Sequence, residues 1–176
     1  MTEQFHKDTL VSNNENLGEE VFVFPVSFAQ QRLWFFDQFE PGSPAYNIPA
    51  AVRIRGPLNT EVFERTLREI VRRHETLRTT FEAIDGQPMQ VISPRVMLSL
   101  DKVDLRHLPV QKRETEALRL VEAEAQRPFN LTQGPLFRVH LFRLDEQEYI
   151  VLLNAHHIIS DGWSMGVLVN EITTIY

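Results

Sequence analysis

Hydrophobic and polar positions follow two different periods along the chain, and these periods predict a mixture of strands and helices. Short apolar runs predict strands at residues 21–24, 46–55, 78–84, 89–92, 97–103, 136–144 and 149–155. Apolar residues three and four positions apart predict four helices, which begin after Ser27, Asn59, Pro109 and Asp161. Asp85-Gly86 and residues 145–148 separate two strand pairs and predict hairpins. The predicted fold class is therefore an α/β (α+β) sandwich with a mixed sheet flanked by helices.

The densest candidate chemistry lies in residues 154–164, which read NAHHIISDGWS. An apolar run at residues 149–153 precedes this segment, and its lack of polar alternation predicts a strand buried on both faces. His156 and His157 therefore lie where a buried strand ends, and an imidazole there is suited to accept a proton from an incoming nucleophile. Adjacent side chains of an extended segment point to opposite sides. We expect one histidine to face a cavity and the other to support the turn.

The predicted turn into the last helix depends on three residues that follow the histidines: Ser160, Asp161 and Gly162. Ser160 and Asp161 precede the apolar stripe of that helix and are suitable N-cap residues. Asp161 is near enough to His157 to hold the loop, and a buried carboxylate there would need a cationic partner. Gly162 permits a backbone angle or a close approach that a side chain would prevent.

Composition limits the classes of function. A chain of 176 residues with 43% hydrophobic residues fits one domain or one lobe of a larger domain. Its net charge of -6 and its lack of a basic cluster argue against nucleic acid or an anionic membrane as a partner. The absence of cysteine excludes disulfides, thiolate metal sites and a cysteine nucleophile. Without a secretory signal or a membrane-spanning run, we expect a cytoplasmic protein, with residues 1–20 as a flexible polar leader.

Two other chemistries share these residues but fit them poorly. Residues 162–166 match G-x-S-x-G, the nucleophile elbow of hydrolases, but the predicted strand ends too early and no histidine follows Ser164. A metal site would have to use His156, His157 and Asp161. The two histidines diverge and the chain lacks the other spacings typical of zinc sites, so we predict no metal.

Three motifs in order resemble those of condensation domains in nonribosomal peptide synthetases. HHIISDG at residues 156–162 resembles the HHxxxDG motif, and RHETLRTTF at residues 73–81 matches RHExLRTxF throughout. SFAQQRLW at residues 27–34 resembles SxAQxRLWxL, whose last leucine is replaced here by Phe36. Three ordered motifs are far more specific than one short pattern. The resemblance covers nearly all of the chain but only the N-terminal part of such a domain.

The resemblance implies a fold and a set of partners. Condensation domains have two lobes that resemble chloramphenicol acetyltransferase, with the active-site tunnel between them. Residues 21–176 would form the N-terminal lobe, and the C-terminal lobe would be absent. The resemblance further implies donor and acceptor peptidyl carrier proteins, whose phosphopantetheine arms bring the substrates, and no bound cofactor. An upstream synthetase would dock at the N-terminus, and the subtype would join two L-residues or take a fatty acyl donor.

The resemblance also implies roles for individual residues. His157 would orient or deprotonate the acceptor amine, or stabilise the tetrahedral intermediate, while His156 would support the turn. In the family, an arginine of the second motif pairs with the motif aspartate, which here points to Arg73, or else Arg78, as the partner of Asp161.

The remaining motif residues would border the tunnel. Gly162 would keep the tunnel open, and Ser160 and Trp163 would line it. We expect the fragment alone to be inactive, because the opposite wall of the tunnel belongs to the other lobe. Two alternatives stay open: a degenerate, noncatalytic lobe that binds carrier proteins, and another acyltransferase with the HHxxxDG motif.

Overall fold

The computed structural model describes residues 10–13, 20–95, 97–98 and 100–176. Strands and helices occur in a mixed order, as the periodicity predicts. In chain order the elements are β1 (Leu10–Asn13), β2 (Glu20–Pro25), α1 (Phe28–Phe39), a 3-10 turn (Pro44–Tyr46), β3 (Asn47–Arg55), α2 (Thr60–Arg73), a second 3-10 turn (Glu75–Arg78), β4 (Thr79–Ile84), β5 (Gln87–Ile92), β6 (Leu100–Asp104), α3 (Val110–Ala125), β7 (Phe137–Asp145), β8 (Glu148–His156) and α4 (Gly162–Ile175).

The strands form two separate four-stranded sheets. The first has the order β1-β2-β5-β4 and is antiparallel throughout. The second has the order β3-β8-β7-β6, in which β6 runs parallel to β7 and the other neighbours are antiparallel. The fold class and the mixed sheet predicted from the sequence are confirmed. The division into two sheets is not predictable in this way, because strand periodicity carries no information on which strands pair.

Local signals in the sequence determine where the elements begin and turn. Ser27 Oγ accepts a hydrogen bond from Gln30 N at 3.2 Å while Gln30 Oε1 accepts one from Ser27 N at 2.9 Å, which completes a capping box for α1. Asn59 caps α2 through its Oδ1. Asp85 and Gly86 both have positive φ, at 51° and 77°, which is the geometry of the tight hairpin predicted between β4 and β5.

The two central strands of the second sheet, β7 and β8, are buried on both faces. On one face, alternate residues of β8 pack in a core with α2 and α4: Tyr149, Val151, Leu153 and Ala155. On the other face, Ile150 and Leu152 pack with α3. The strand that leads to the two histidines is therefore covered by helices on both sides, as its continuous apolar sequence predicts. This arrangement places the end of β8 next to the first residue of β3, since Asn47 pairs with His156.

Helix α1 leaves much of its aromatic surface exposed. Phe35 and Phe36 are 59% and 42% exposed. Leu33 and Trp34 are the α1 residues that pack against the core, and they are only partly buried. The aromatic residues of α1 therefore cover more of the helix surface than the narrow face through which this helix contacts the core.

Some expectations concern parts of the chain that are only partly described. The leader predicted at residues 1–20 lies outside the described residues apart from Leu10–Asn13, which pairs with β2, and Glu20, the first residue of β2. The strand predicted at residues 97–103 is shorter and later, since β6 spans Leu100–Asp104. In the described part of the chain, no helix combines the length and the apolar character needed to cross a bilayer.

Candidate active site

The two histidines lie at the junction between β8 and the turn that leads to α4. His156 is the last residue of β8, and its backbone N–H donates to Leu136 O at 3.0 Å. His157 is the first residue of the turn, and its backbone N–H donates to Tyr46 O at 2.8 Å. Backbone bonds to the residues just before β7 and β3 therefore hold the histidine pair in place.

His156 is a buried structural residue. It is 2% exposed, and its Nδ1 accepts a hydrogen bond from Ile158 N at 3.1 Å. Burial, with a smaller contribution from the neighbouring charge of His157, lowers the pKa of His156 to about 4. His156 is therefore neutral near pH 7, and its ring supports the turn from inside.

His157 has the opposite environment, as the alternation of an extended segment predicts. Its side chain is exposed, and its Nδ1 lies 2.9 Å from Ser160 O. A carbonyl oxygen only accepts hydrogen bonds, so Nδ1 carries the proton in this contact. In the neutral ring, Nε2 then holds the lone pair and faces no hydrogen-bond partner among the described residues. This arrangement orients the ring and leaves one nitrogen to accept a proton or a hydrogen bond.

Polar side chains of the second sheet tie the histidine strand to the C-terminus of α3. Asn154 Nδ2 donates to Glu124 O at 2.9 Å, and Asn47 Nδ2 donates to Ala125 O at 2.6 Å. The last carbonyls of a helix lack partners within the helix, and Asn47 supplies one for Ala125 O, while Glu124 O also accepts from Arg127 N at 3.2 Å. The same bonds fix the end of β8 just before the histidines.

The expected ion pair between Asp161 and an arginine is wrong for this structure. Asp161 is exposed and is the N-cap of α4, where its Oδ1 accepts from Ser164 N and Ser164 Oγ, both at 2.7 Å. These two bonds are the main reason that the pKa of Asp161 lies below its usual value, and the charge of His157 contributes. A carboxylate that is exposed and hydrogen-bonded in this way needs no cation.

Both candidate arginines have other partners. Arg73 Nε donates to Glu69 Oε1 at 2.7 Å on the surface of α2. Arg78 is the less exposed of the two, and its guanidinium donates to the carbonyls of Val71 and Ser93. Arg78 therefore ties the end of α2 to the end of β5.

Gly162 and Ser164 lie in the first turn of α4. A Cβ at Gly162 would meet no atom within 4 Å, so neither a close approach nor a positive φ requires glycine here within this chain. Ser164 is helical and its Oγ donates to Asp161. It does not occupy the sharp turn directly after a strand that a nucleophile elbow requires, which removes the hydrolase alternative.

A cleft of about 230 Å³ adjoins the histidine turn and brings the second and third motifs together. Ser160 and Trp163, both expected to line a tunnel, border this cleft, and Trp163 is 83% exposed. His74 of the second motif also borders it, and its Nε2 lies 2.6 Å from Glu171 Oε2 on α4. Leu77, Ile159 and Leu168 supply apolar surface to the cleft. His157 is not among the residues that line this cleft, but its ring is hydrogen-bonded to the carbonyl of Ser160, which is.

No group of three or more metal-binding side chains comes together in the part of the chain that the structure describes. The motif histidines are already engaged through Nδ1, His156 with a backbone N–H and His157 with a backbone carbonyl.

Comparison with known proteins decides the family. The family model of the condensation domain matches residues 22–176. The chain belongs to the condensation-domain family. Solved structures agree: the starter condensation domain of rhizomide synthetase RzmA superposes with a TM-score of 0.81 and 30% identity, over 88% of this chain and 38% of that chain. A mutant of that domain in complex with C8-CoA and Leu-SNAC also has a TM-score of 0.81, with 30% identity over 88% of this chain and 35% of that chain.

Relatives with this condensation-domain sequence are large synthetases. A linear gramicidin synthase from Brevibacillus parabrevis is 53% identical over 152 residues, which are 86% of this chain and 2% of the relative. The phosphinothricin tripeptide synthetase PhsC from Streptomyces viridochromogenes is 46% identical over 151 residues, 86% of this chain and 14% of the relative. The chain thus spans a small part of both of these synthetases.

Sequence reasoning missed several residues around the candidate site. Tyr46 and Asn47 contact the histidine turn and its strand, and Glu171 contacts His74 at the cleft, all from outside the three motifs. The apolar pattern assigns Tyr46 and Asn47 only to the start of a strand, and Glu171 only to a helix. The sequence gives one weak indication for Asn47. A side-chain amide at the start of an apolar strand needs a hydrogen-bond partner when it is buried.

Proposed function

We propose that this chain is the N-terminal lobe of a condensation domain that joins two carrier-bound substrates by an amide bond. The donor is an acyl or peptidyl thioester, and the acceptor is an aminoacyl thioester. Both arrive on phosphopantetheine arms of carrier proteins, and the lobe itself holds no cofactor. Membership of the family and the synthetase relatives support this assignment, while the carrier proteins and the second lobe are part of the proposal.

The orientation of His157 is the observation that carries the proposal. Its Nδ1–H is held by Ser160 O, so the neutral ring presents Nε2 as an acceptor from an exposed position. An acceptor nitrogen favours contact with the N–H of the acceptor amine over donation to an oxyanion. We therefore assign His157 to orienting or deprotonating the amine.

The reaction balances without a covalent enzyme intermediate. The amine nitrogen attacks the thioester carbonyl carbon, a C–N bond forms, and the carbonyl oxygen takes up the electron pair. His157 Nε2 accepts the proton that the amine loses. When the tetrahedral intermediate collapses, the C–S bond breaks and the donor arm leaves as a thiol, which takes the proton that His157 Nε2 had accepted. The rest of the barrier is lowered by holding both thioesters at attacking distance.

The chemistry of a solved relative supports the substrate class. The mutant starter domain of rhizomide synthetase RzmA was solved with C8-CoA and Leu-SNAC. That relative has the same fold over 88% of this chain. We extend to this chain a donor site for an acyl thioester and an acceptor site for an aminoacyl thioester.

A single-turnover assay of the complete condensation domain tests the proposal. Donor and acceptor carrier proteins are loaded, mixed with the domain, and the amide product is followed by mass spectrometry. We expect His157→Ala to lower the rate constant by about 10²–10⁴-fold, as for loss of a general base. His107→Ala is the matched control, because His107 is also exposed but lies before α3.

The outcomes separate the alternatives. A wild-type domain that binds both carrier proteins without forming product would show a noncatalytic carrier-binding lobe. Product formation with a free, non-carrier acceptor instead of the carrier-bound amine would indicate another HHxxxDG acyltransferase. A rate for His157→Ala equal to that of His107→Ala would remove the role assigned to His157.

A further inference from the structure

Tyr46 extends the ladder between β3 and β8 to the exposed histidine. This residue ends the 3-10 turn that precedes β3, and its neighbour Asn47 pairs with His156 in the ladder. The carbonyl of Tyr46 accepts the backbone N–H of His157 at 2.8 Å. The backbone of Tyr46 thus holds the first residue beyond the end of β8.

The ring of Tyr46 contacts one ring of helix α1 and the ring of the buried histidine. It stacks on Phe36 with a centroid distance of 6.1 Å and an interplanar angle of 22°. The His156 ring lies 6.1 Å from the Tyr46 ring at 55°. Phe129 also contacts His156, at 6.2 Å and 80°. All three centroid distances are in the range where aromatic pairs attract each other.

The 3-10 turn is closed by a backbone bond from Asn47 N–H to Pro44 O. Its cap is long, since Ser43 Oγ is 3.5 Å from Ala45 N, which is at the limit of a hydrogen bond. Neither bond involves the ring of Tyr46, which contacts Phe36 and the buried His156. The ring contacts therefore act together with the backbone pairing of β3 and β8 to set where the carbonyl that binds His157 lies.

We infer that Tyr46 is a positioning residue for His157. Its ring fixes the backbone carbonyl that holds His157, and through Phe36 it links the first motif to the third. The catalytic consequence rests on the proposed function, while the contact itself does not. Among the described residues, none forms a hydrogen bond with the Tyr46 hydroxyl, so the aromatic ring is the part that matters.

Kinetics of the complete condensation domain test the inference. A shift of about 1 Å in a catalytic group costs up to roughly 10²-fold in rate. We expect Tyr46→Leu to lower kcat by about 10–100-fold and to change KM for either carrier protein by less than about threefold. Tyr46→Phe keeps the ring and should stay within about threefold of wild type in both constants.

Amide hydrogen exchange gives a readout that does not depend on activity. The His157 N–H should exchange at least about tenfold faster in Tyr46→Leu, because its acceptor is displaced, and at the wild-type rate in Tyr46→Phe. Leu144→Ala is the control for general destabilisation, since Leu144 is buried at the other end of β7. It should lower the melting temperature without changing kcat or the exchange of the His157 N–H.

The two readouts keep the inference separate from the proposed function. If the wild-type domain forms no amide, the proposed function fails, and the exchange rates still test the contact. A folded Tyr46→Leu domain with wild-type kcat, or with wild-type exchange at His157, overturns the positioning role. Should Tyr46→Leu not fold, Phe36→Ala removes the outer partner of the ring, and it must then show faster His157 exchange for the inference to stand.

Discussion

The carboxylate of Asp161 binds Ser164 twice, through its backbone N–H and through its hydroxyl, both at 2.7 Å. These bonds close the first turn of α4 and satisfy a donor that the helix itself leaves unpaired. The motif aspartate is therefore a helix cap at the exit of the histidine turn. Its position one residue after Ser160 links this cap to the carbonyl that orients His157.

Loss of the cap should destabilise the 176-residue lobe. We expect Asp161→Ala to lower the melting temperature by roughly 2–4 °C, the shift expected when a domain of this size loses an N-cap. Asp161→Asn should have a smaller effect, because asparagine caps helices about as well as aspartate. Differential scanning calorimetry near pH 7 measures both shifts.

The variant Arg73→Ala tests the alternative hypothesis that Asp161 forms an ion pair with Arg73. Arg73 binds Glu69 on the surface of α2, so Arg73→Ala should change the melting temperature no more than the surface control Asp85→Asn. Equal losses in Asp161→Ala, Arg73→Ala and the double variant would indicate that the two residues act as a pair, contrary to this structure.

His156 should make the stability of the domain depend on pH. Its pKa is about 4 in the folded chain against an ordinary value of 6.5, so between these values the unfolded chain binds a proton that the folded chain does not. Stability is therefore lost as the pH falls from about 6.5 to about 4, by at most about 3 kcal/mol. Urea unfolding across this range measures the slope.

The variant His156→Asn isolates this contribution. Asparagine keeps an acceptor for Ile158 N but does not titrate, so the pH dependence should flatten by the amount assigned to His156. Buried His140, whose pKa burial also lowers, is present in both proteins, and its contribution cancels in the difference. Identical slopes for the two proteins would mean that His156 titrates normally in the folded state.

His74 and Glu171 should be energetically coupled. They join the second motif to α4 across a contact of 2.6 Å with 40% and 29% side-chain exposure. A double-mutant cycle with His74→Gln and Glu171→Gln should give a coupling free energy of about 0.5–1.5 kcal/mol. The surface pair Glu69 and Arg72 is the comparison, and we expect its coupling to be smaller because solvent screens it. Additive effects in the first cycle would show that the contact contributes nothing to stability.

The isolated 176-residue lobe should fold and remain inactive. Its caps, hairpins and buried sheet are mutually consistent, which favours independent folding. It also exposes an aromatic stripe on α1 that includes Phe28 at 93% and Phe39 at 82% exposure. We therefore expect concentration-dependent self-association in sedimentation velocity, reduced in Phe28→Ser/Phe39→Ser.

An activity assay tests the prediction that the isolated lobe is inactive. Loaded carrier proteins should yield no product above background with the lobe alone, because the cavity that excludes water needs a second wall. A turnover rate equal to that of the complete domain would place the whole active site in this lobe. A monomeric lobe at all concentrations would contradict the role given to the α1 stripe.

Local features of this protein follow from its amino-acid sequence alone. The order of elements, the cap residues Ser27, Asn59 and Asp161, and the tight turn at Asp85-Gly86 depend on periodicity and backbone preference, which act over a few residues. The apolar run before His156 likewise predicts a strand buried on both faces. The motifs identify the family for the same reason, since they are matched residue by residue.

Contacts between distant residues depend on the folded chain. Tyr46 and His157 are more than a hundred positions apart, and their bond exists only because β3 pairs with β8. The contact between His74 and Glu171 likewise joins residues that are far apart in the sequence. The exposure of Asp161, which lets it cap α4 without an arginine partner, is also set by the folded chain. Periodicity indicates which face of an element is buried, but the order of strands in a sheet determines which elements are neighbours. Contacts between elements that are distant in the sequence therefore form only when the chain is folded.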